Sequence, residues 1–396
     1  MELKRYKLGE ICPEFHAGNG IQSSQIKGSG LYPVFGGNGL RGYTDTFNQD
    51  GQYLIIGRQG AYCGNVRYNV GKAFLTEHAI VGQTSAEHNA IYLACKLSLM
   101  NLAQFQGQSA QPGLSVKNLS EIEILMPPKK IQDNIARVIL NIDHKIALNR
   151  AINQNLEAFA KQLYDYWFVQ FDFPNEEDKP YKSSGGAMAW NEALKRNIPK
   201  GWHCGNLFEI AKFTNGLACQ KFRPKAGETP LPVIKIREMR DGFTADTEEV
   251  TPNIPDSVKV FNGDILFSWS ASLEVMLWAF GEGGLNQHIF KVTSANGFPK
   301  SFYYYQLLDY VDVFKKMAEA RKTTMGHITQ DHLQQSTIAI PDDKKIADEF
   351  EKRISPIFEQ MVKLQEEILA LTKLRNELLP LLMNGQVSLN SDLSHD

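Results

Sequence analysis

The chain has 396 residues, of which 43% are hydrophobic and 22% charged, and its formal net charge is −2. This composition is ordinary for a soluble globular protein, and the length is enough for two domains with connecting elements. The net charge of −2 gives no sign of a nucleic-acid binder.

The cysteines and the hydropathy of the chain indicate its redox compartment and whether it enters a membrane. The five cysteines form no C-x-x-C pair, which argues against zinc and disulfides and favours a reducing cytoplasm. No basic-then-apolar leader opens the sequence, and the most apolar window, at 273–280, is too short to span a bilayer. We therefore expect a cytoplasmic protein without membrane association.

Short segments recur in the same order in the two halves of the chain. The pairs are 7–11 with 206–210, 32–34 with 231–233, 51–55 with 263–267, 77–80 with 287–290, and 114–119 with 328–333. Because the offset drifts slowly, as loop insertions would cause, the sequence predicts a tandem duplication. Each copy has β-rich runs between glycine-rich turns, at 52–56 and 264–269, and a helix near 90–104 or 301–320.

A long helical pattern follows each copy. The first begins after Pro127 and the second after Pro341, and apolar residues then recur at spacings of three and four. This spacing is typical of a coiled-coil seam, and about 40 helical residues rise roughly 60 Å. Asn149 falls on the first seam, where a buried polar residue fixes register, and Pro356 predicts a kink in the second helix. Two helices packed separately on globular cores are the alternative.

Motifs for catalysis are tested and rejected. The G-x-G-x-x-G match at 37–42 is followed by Tyr43, Thr44 and Asp45, which predict a turn or strand rather than the helix that a dinucleotide site needs. The sequence contains no P-loop and no N-P-P-[FY] methyltransferase motif. Asp342 is interpreted as a helix N-cap. His78 and His288 occupy matching places, and we interpret them as structural. We predict no catalytic residue and no metal ligand.

Basic and aromatic side chains gather on loops in both halves. Such groups neutralise phosphates and reach base edges, with arginine suited to guanine and glutamine or asparagine to adenine. The candidate DNA-binding residues in the first half are Arg41, Tyr43, Arg58, Gln59, Tyr62 and Arg67. Those in the second half are Lys221, Arg223, Lys225, Lys235, Arg237, Arg240, Asn286, Gln287, Arg321 and Lys322. A solvated surface of mixed charge is the alternative.

Several of these segments together resemble the specificity subunit of type I restriction–modification enzymes. The resemblance covers nearly the whole length and rests on 32–39, 54–60, 76–80, 171–174, 179–186, 198–202 and 374–385. The second half departs from the pattern at 267–270, where a segment with Ser268 and Ser270 replaces the glycine-rich sequence around Arg58. This departure concerns the base contacts rather than the family, and we add both serines to the DNA-binding candidates.

The resemblance implies a fold and a domain order. The expected fold class is α+β, with two tandem mixed α/β target-recognition domains, each followed by a long helix, and the two helices paired as an antiparallel coiled coil with pseudo-twofold symmetry. The expected parts are a first target-recognition domain at 1–128, a central helix at 129–170, a linker at 171–198, a second target-recognition domain at 199–341, a C-terminal helix at 342–384, and a tail at 385–396 that is expected to be disordered.

The resemblance also implies a function shared with partners. Each domain would read one half of a split site in double-stranded DNA, and the helices would set the spacer and dock two modification (methyltransferase) subunits. S-adenosylmethionine, ATP and Mg are expected on the modification and restriction (motor and nuclease) subunits, and no cofactor on this chain. The candidate partner-binding residues are Tyr164, Trp167, Phe168, Leu378 and Leu382, and the aromatic ones have a domain junction as their alternative role.

Two rival functions stay open at this point. The chain is the recognition part of a single-chain restriction or modification enzyme, or it is a coiled-coil scaffold without DNA readout. The absence of methyltransferase motifs and of a nuclease residue set argues against the first. The second predicts that removing basic side chains leaves DNA affinity unchanged.

Overall fold

The computed structural model describes residues 3–107, 113–270, 272–320 and 328–387. Two units make up the chain. One combines Met1–Lys145 with Leu371–Asp396, and the other is the continuous segment Ile146–Ala370. Both ends of the chain therefore belong to the first unit.

Among its described residues, the first unit contains three sheets. Its elements are β1 (Lys4–Lys7), α1 (Leu8–Ile11), β2 (Glu14–Ala17), β3 (Tyr32–Gly36), β4 (Gly39–Thr44), β5 (Gln52–Gly57), β6 (Val66–Val70), β7 (Phe74–Leu75), β8 (Ala79–Gln83), α2 (Ala90–Ser98), α3 (Val116–Ser120), β9 (Glu123–Met126) and the start of α4 (Lys129–Tyr164). The sheets have the strand orders β2-β8-β5-β6, β4-β3-β7 and β1-β9.

The part of the second unit that the structure describes contains four sheets. Its elements after α4 are β10 (Met188–Asn191), β11 (Arg196–Pro199), β12 (Trp202–Gly205), α5 (Leu207–Ile210), β13 (Ala211–Asn215), β14 (Leu231–Ile234), α6 (Ile236–Asp241), β15 (Glu249–Val250), β16 (Lys259–Val260), β17 (Ile265–Ser268), β18 (Glu274–Leu277), β19 (Gly283–Leu285), β20 (Ile289–Ser294), α7 (Lys300–Ala320), α8 (Gln330–Gln334), β21 (Ile338–Pro341) and α9 (Lys345–Met383). The sheets are β13-β20-β17-β18, β15-β14-β19-β16, β12-β21 and β10-β11.

The two units share one topology. The four-stranded sheets β2-β8-β5-β6 and β13-β20-β17-β18 match strand for strand, and β1-β9 matches β12-β21. The strand pairs β3-β7 and β14-β19 are both parallel, whereas the pairs in the four-stranded sheets are antiparallel. The predicted α+β class and tandem repeat, with a long helix after each copy, are confirmed.

Strand β5 shows how the sequence pattern builds the first core. Its last five residues are all buried, because alternate side chains of a strand point to opposite faces and both faces are covered. Leu54 and Ile56 pack into the core that contains α2 and α4, whereas Tyr53 and Ile55 join a second cluster beneath β7 and β8. Asn89 caps the N-terminus of helix α2, and its side chain accepts hydrogen bonds from two helical N–H groups.

The long helices α4 and α9 pair with each other inside each unit. In the second unit Asn149 Nδ2 donates to Glu367 Oε2 at 2.7 Å, and Asn153 Nδ2 donates to the Met361 carbonyl at 3.3 Å. The residue number falls along α9 as it rises along α4, so the helices run antiparallel, and the alternative of separately packed helices is excluded. Asn149 is fully buried at the predicted seam position.

Two features of the long helices were not predicted from the spacing of their apolar residues. Helix α4 passes into a π-helical turn at Asp165–Val169, and α9 is one continuous helix through Pro356. The predicted linker region has defined structure, since Asp172 accepts hydrogen bonds from the Ser183 N–H and hydroxyl at 2.7 and 2.6 Å. Residues 388–396 of the predicted tail lie outside the described residues.

The predicted N-cap role of Asp342 is wrong. Asp343 Oδ1 accepts the Lys345 N–H at 3.0 Å, at the point where α9 begins. The Asp342 carboxylate instead lies 2.6 Å from His203 Nδ1, and Glu209 Oε2 lies 3.2 Å from His203 Nε2. Both ring nitrogens therefore face carboxylates, which an imidazolium satisfies by donating from both.

We expect His203 to make the second unit less stable as the pH rises. Burial lowers the pKa of His203, but the hydrogen bonds and charges of Asp342 and Glu209 outweigh it and raise the pKa above its ordinary value. The stabilisation is therefore complete below the unfolded-state pKa of about 6.5 and is lost as the pH rises through the folded-state value. Urea unfolding at about pH 6 and pH 9 measures it, and His203→Gln removes the dependence. If the parent chain and His203→Gln differ in free energy of unfolding by the same amount at both pH values, the pH dependence does not come from His203.

Candidate nucleic-acid interface

Three turns of the first unit meet through glycine backbones. A Cβ added at Gly37 would lie 2.9 Å from the His78 carbonyl oxygen, and one at Gly57 would lie 2.3 Å from the Tyr62 carbonyl oxygen. The turns at 36–39, 57–62 and 76–79 can approach this closely only without side chains at these positions. The G-x-G-x-x-G match thus belongs to the β3–β4 hairpin, since β4 and not a helix follows it.

Three arginines surround these turns. A Cβ at Gly36 would lie 2.8 Å from Arg41 Cδ, and one at Gly39 would lie 2.8 Å from Arg67 Nη1, so both side chains lie along glycine backbone. Arg58 Nη1 reaches the Glu77 carbonyl at 3.4 Å. Within the described residues none of the three arginines forms an ion pair. Their charge is therefore available to DNA phosphates or to guanine edges.

The remaining candidates of the first unit lie nearby. Gln59 is exposed at the start of the 57–62 turn, and Tyr62 is half-exposed at its end. Tyr43 lies further back on β4, where it pairs with Pro33. The structure therefore brings Arg41, Arg58, Gln59, Tyr62 and Arg67 to one end of the unit.

The basic residues of α6 in the second unit are paired with carboxylates. Lys235 Nζ lies 2.5 Å from Glu248 Oε1, Arg237 Nη2 lies 2.7 Å from Glu238 Oε1, and Arg240 forms a two-nitrogen pair with Glu274. Lys235 lowers the pKa of Glu248 below its ordinary range through their hydrogen bond and charge. The expected excess of positive charge at 235–240 is thus largely compensated.

The other candidates of the second unit divide into exposed and buried groups. Lys221, Arg223 and Lys225 are exposed on the turn after β13, and no ion pair is found for them among the described residues. Ser268 and Ser270 are buried, and Ser268 Oγ bonds the Ser272 carbonyl and the Glu274 N–H inside the hairpin. Asn286 is buried and Gln287 is half-buried. Arg321 and Lys322 lie outside the described residues.

Backbone hydrogen bonds identify one residue that sequence reasoning missed. The Arg58 N–H donates to the His78 carbonyl at 3.0 Å and its carbonyl accepts from Leu114 at 2.9 Å. Trp269 makes the same two bonds in the second unit, to the His288 carbonyl at 3.3 Å and from Ile328 at 3.0 Å. Trp269 is therefore the counterpart of Arg58. The pairing of 51–55 with 263–267 places Ser270 opposite Arg58, so the sequence gives no signal for Trp269.

The predicted partner-binding residues form cores rather than a surface. Tyr164, Trp167 and Phe168 are at most 3% exposed, and Tyr164 stacks on Tyr305 with ring centroids 5.2 Å apart. Leu382 is buried in the first unit's core, and Leu378 packs against it. The expectation that these side chains face a partner is corrected, because the turn at 165–169 points them into the second unit.

The described part of the chain has neither a cluster of metal-ligating side chains nor a helix that could span a membrane. No group of three or more His, Cys, Asp or Glu side chains is placed to hold a metal ion. Over the same residues, no helix has the length and apolarity needed to cross a bilayer.

Two relatives with known roles are similar to this chain over different lengths. The specificity subunit of the type I restriction enzyme EcoprrI of Escherichia coli is 42% identical over 147 residues. That alignment spans only 36% of this chain and 36% of that subunit. The MjaIX specificity subunit of Methanocaldococcus jannaschii is 24% identical over 426 aligned residues, which cover 98% of this chain and 93% of that subunit.

A solved structure and a family model agree with these relatives. The S subunit of a type I restriction–modification system from M. genitalium has the same fold, with a TM-score of 0.64 and 16% identity over 96% of each chain. The model of the type I restriction modification DNA specificity domain matches residues 2–158 and 199–378. With both copies of the repeat matched, the chain belongs to the family of type I restriction–modification DNA specificity subunits.

Proposed function

We propose that each unit of this chain reads one half of a bipartite DNA site. One observation carries the proposal. Two units of the same topology present different side chains at the same backbone position, arginine at 58 and tryptophan at 269. A shared scaffold with different recognition chemistry is what two unlike half-sites require.

The long helices are proposed to set the spacer and to recruit partners. A helix pair of this length is stiff, and the hydrogen bond from the buried Asn149 to Glu367 favours one register. Catalysis belongs in this proposal to two modification subunits, which use S-adenosylmethionine, and to restriction subunits, which use ATP and Mg. The chain itself is a non-catalytic, cytoplasmic subunit without a cofactor.

Selection from random duplex DNA tests the proposal. The full-length chain is used in complex with its co-expressed modification subunits, and we expect two short fixed elements separated by an unread gap. A single continuous element contradicts reading by both units. The absence of enrichment with an intact complex favours a scaffold, and methylation by the chain alone favours a single-chain enzyme.

We expect Arg58→Ala to weaken binding to the selected duplex by about 1–3 kcal/mol, because one arginine contact to a base edge is worth that much. Anisotropy titration of a labelled duplex measures the change. Arg5→Ala is the matched control, since Arg5 forms an exposed pair with Glu123 at 2.9 Å on the β1-β9 sheet. Equal affinities for the Arg58 variant and the parent chain contradict the placement of DNA at the 57–62 turn.

A further inference from the structure

The pair between Arg240 and Glu274 holds an exposed guanidinium in one orientation. Arg240 Nε lies 2.9 and 3.2 Å from the two carboxylate oxygens of Glu274, and Nη2 bonds Oε1 as well. The side chains are 54% and 36% exposed, so the pair lies at the surface. It connects α6 with β18, and a two-nitrogen contact of this kind fixes the plane of the guanidinium.

The remaining donors of Arg240 form a free fork. A guanidinium carries five N–H groups, and Glu274 takes the Nε–H and one Nη2–H. The second Nη2–H and the Nη1–H groups make no bond to any described residue. Two parallel donors at this end of an arginine match the O6 and N7 acceptors of guanine in the major groove.

Arg237, three residues earlier, is used differently. Its Nε and Nη2 donate to Glu238 at 3.0 and 2.7 Å, and Nη2 also donates to the Asp246 carbonyl at 3.2 Å. Both Nη2 hydrogens are therefore used, so Arg237 cannot offer a ligand the pair of Nη1 and Nη2 donors that Arg240 offers. Glu238 is buried and also accepts the Lys235 N–H, so this network fastens α6 to the loop that follows it. Arg237 is structural, whereas Arg240 is available to a ligand.

Local charge favours a base edge over a phosphate as the ligand. Glu274, mainly through its hydrogen bond, and Asp241, through its charge, raise the pKa of Arg240 further above its ordinary value. The pair carries no net charge, so it releases few counterions when DNA binds. A fixed donor fork within a neutral pair can supply sequence preference without adding to general affinity.

The corresponding place in the first unit also carries an exposed arginine. There Arg67 of β6 lies over Gly39 in the β3–β4 turn. In the second unit β18 takes the position of β6, and α6 follows β14 as that turn follows β3. The two units thus reach this position with an arginine from different elements.

We propose that Arg240 reads a guanine in the half-site of the second unit and that Glu274 is the residue that positions it. The inference rests on the proposed function, because it assumes that the second unit faces DNA. It assigns a structural role to Arg237 and a base-reading role to Arg240, although both were DNA-binding candidates in the sequence.

The test is anisotropy titration of the full-length complex at several salt concentrations, with the selected duplex and its single-base-pair variants. Arg240→Ala is expected to remove discrimination of about 5- to 150-fold at one G·C pair of the second half-site. The slope of log affinity against log salt stays unchanged in a variant that keeps the pair neutral. Arg240→Lys, which keeps the charge but lacks the fork, loses the same discrimination. Replacing that guanine by 7-deazaguanine weakens binding by the parent chain but not by Arg240→Ala.

Glu274→Gln separates positioning from a purely structural role. Without the Glu274 carboxylate, the orientation of Arg240 is no longer fixed and the site gains a net positive charge, so discrimination falls while binding to unrelated DNA strengthens. The salt slope becomes steeper by up to about 0.9, the value of one phosphate contact. A lower unfolding temperature with an unchanged slope would overturn the positioning role. Arg5→Ala, which breaks an exposed Arg–Glu pair elsewhere, is the control and changes none of these quantities.

Two results overturn the assignment of Arg240. Equal weakening by Arg240→Ala on every sequence, with a shallower salt slope, identifies a phosphate contact instead. An Arg240→Ala complex that binds and discriminates like the parent, while Arg58→Ala is impaired, overturns the inference and leaves the proposed function standing. If neither variant changes binding, the proposed function fails together with the inference.

Discussion

Inserting one heptad into each of α4 and α9 is expected to lengthen the unread spacer by about three base pairs and to leave both half-sites unchanged, since each helix gains roughly 10 Å and a base pair rises roughly 3.4 Å. The insertions belong after Lys145 and after Ala370, where the chain divides into its units. Contacts inside each unit, such as Asp143 with Arg375 and Asn149 with Glu367, then stay as they are. The original duplex is expected to lose one of its two half-site contacts.

Repeating the DNA selection with the lengthened chain measures the spacer directly. A variant with one heptad in α4 alone is the control, because it shifts the seam of one helix against the other and is expected to weaken the helix pair. An unchanged spacer in the doubly lengthened chain contradicts the ruler role of the helices. Such a result leaves half-site reading by each unit unaffected.

Replacing Phe350 by alanine is expected to lower the free energy of unfolding of the second unit by about 3–5 kcal/mol. Phe350 is fully buried, and its ring lies 5.1 Å from Phe168, 5.6 Å from Trp167 and 6.1 Å from Tyr164. Truncation removes this packing and leaves a cavity that a rigid aromatic cluster fills poorly.

Urea unfolding, followed by the fluorescence of Trp167 and Trp202, measures the cost. Phe159→Ala is the matched control on α4, because Phe159 is 55% exposed and its removal is expected to cost within about 0.5 kcal/mol. Similar costs for the two variants would show that the cluster is not a core. In that case Tyr164, Trp167 and Phe168 would return as candidates for partner docking.

The regular features of this fold were predictable because they depend on local patterns. The three- and four-residue spacing after Pro127 and Pro341 predicts two long helices, with starts at 129 and 342, and in the structure they begin at Lys129 and Lys345. The buried seam position of Asn149 follows from the same spacing. The order of the repeated segments predicts the shared topology, because equivalent sequences form equivalent strands.

The features that were missed depend on residues far apart in the chain. From the sequence alone Tyr164 and Trp167 look like an exposed aromatic group. In the structure, Tyr305 packs against Tyr164 and Phe350 packs against Trp167. The charge of Arg240 on helix α6 is compensated by the carboxylate of Glu274 on strand β18, and spacing alone gives no sign of this pair. The equivalence of Trp269 and Arg58 appears only in backbone hydrogen bonds, because the side chains are unlike.

The division of the chain has a consequence for the order in which the protein folds. Leu382 and Met383 are part of the first unit's core, and Lys96 Nζ donates to the Met383 carbonyl at 2.8 Å. Ribosomes synthesise a chain from its N terminus at about 5–20 residues per second. The first unit therefore cannot complete its core until the C-terminal segment has been synthesised. The continuous second unit can complete its core earlier. A stop codon just after 370 would therefore damage the first domain rather than the nearer one.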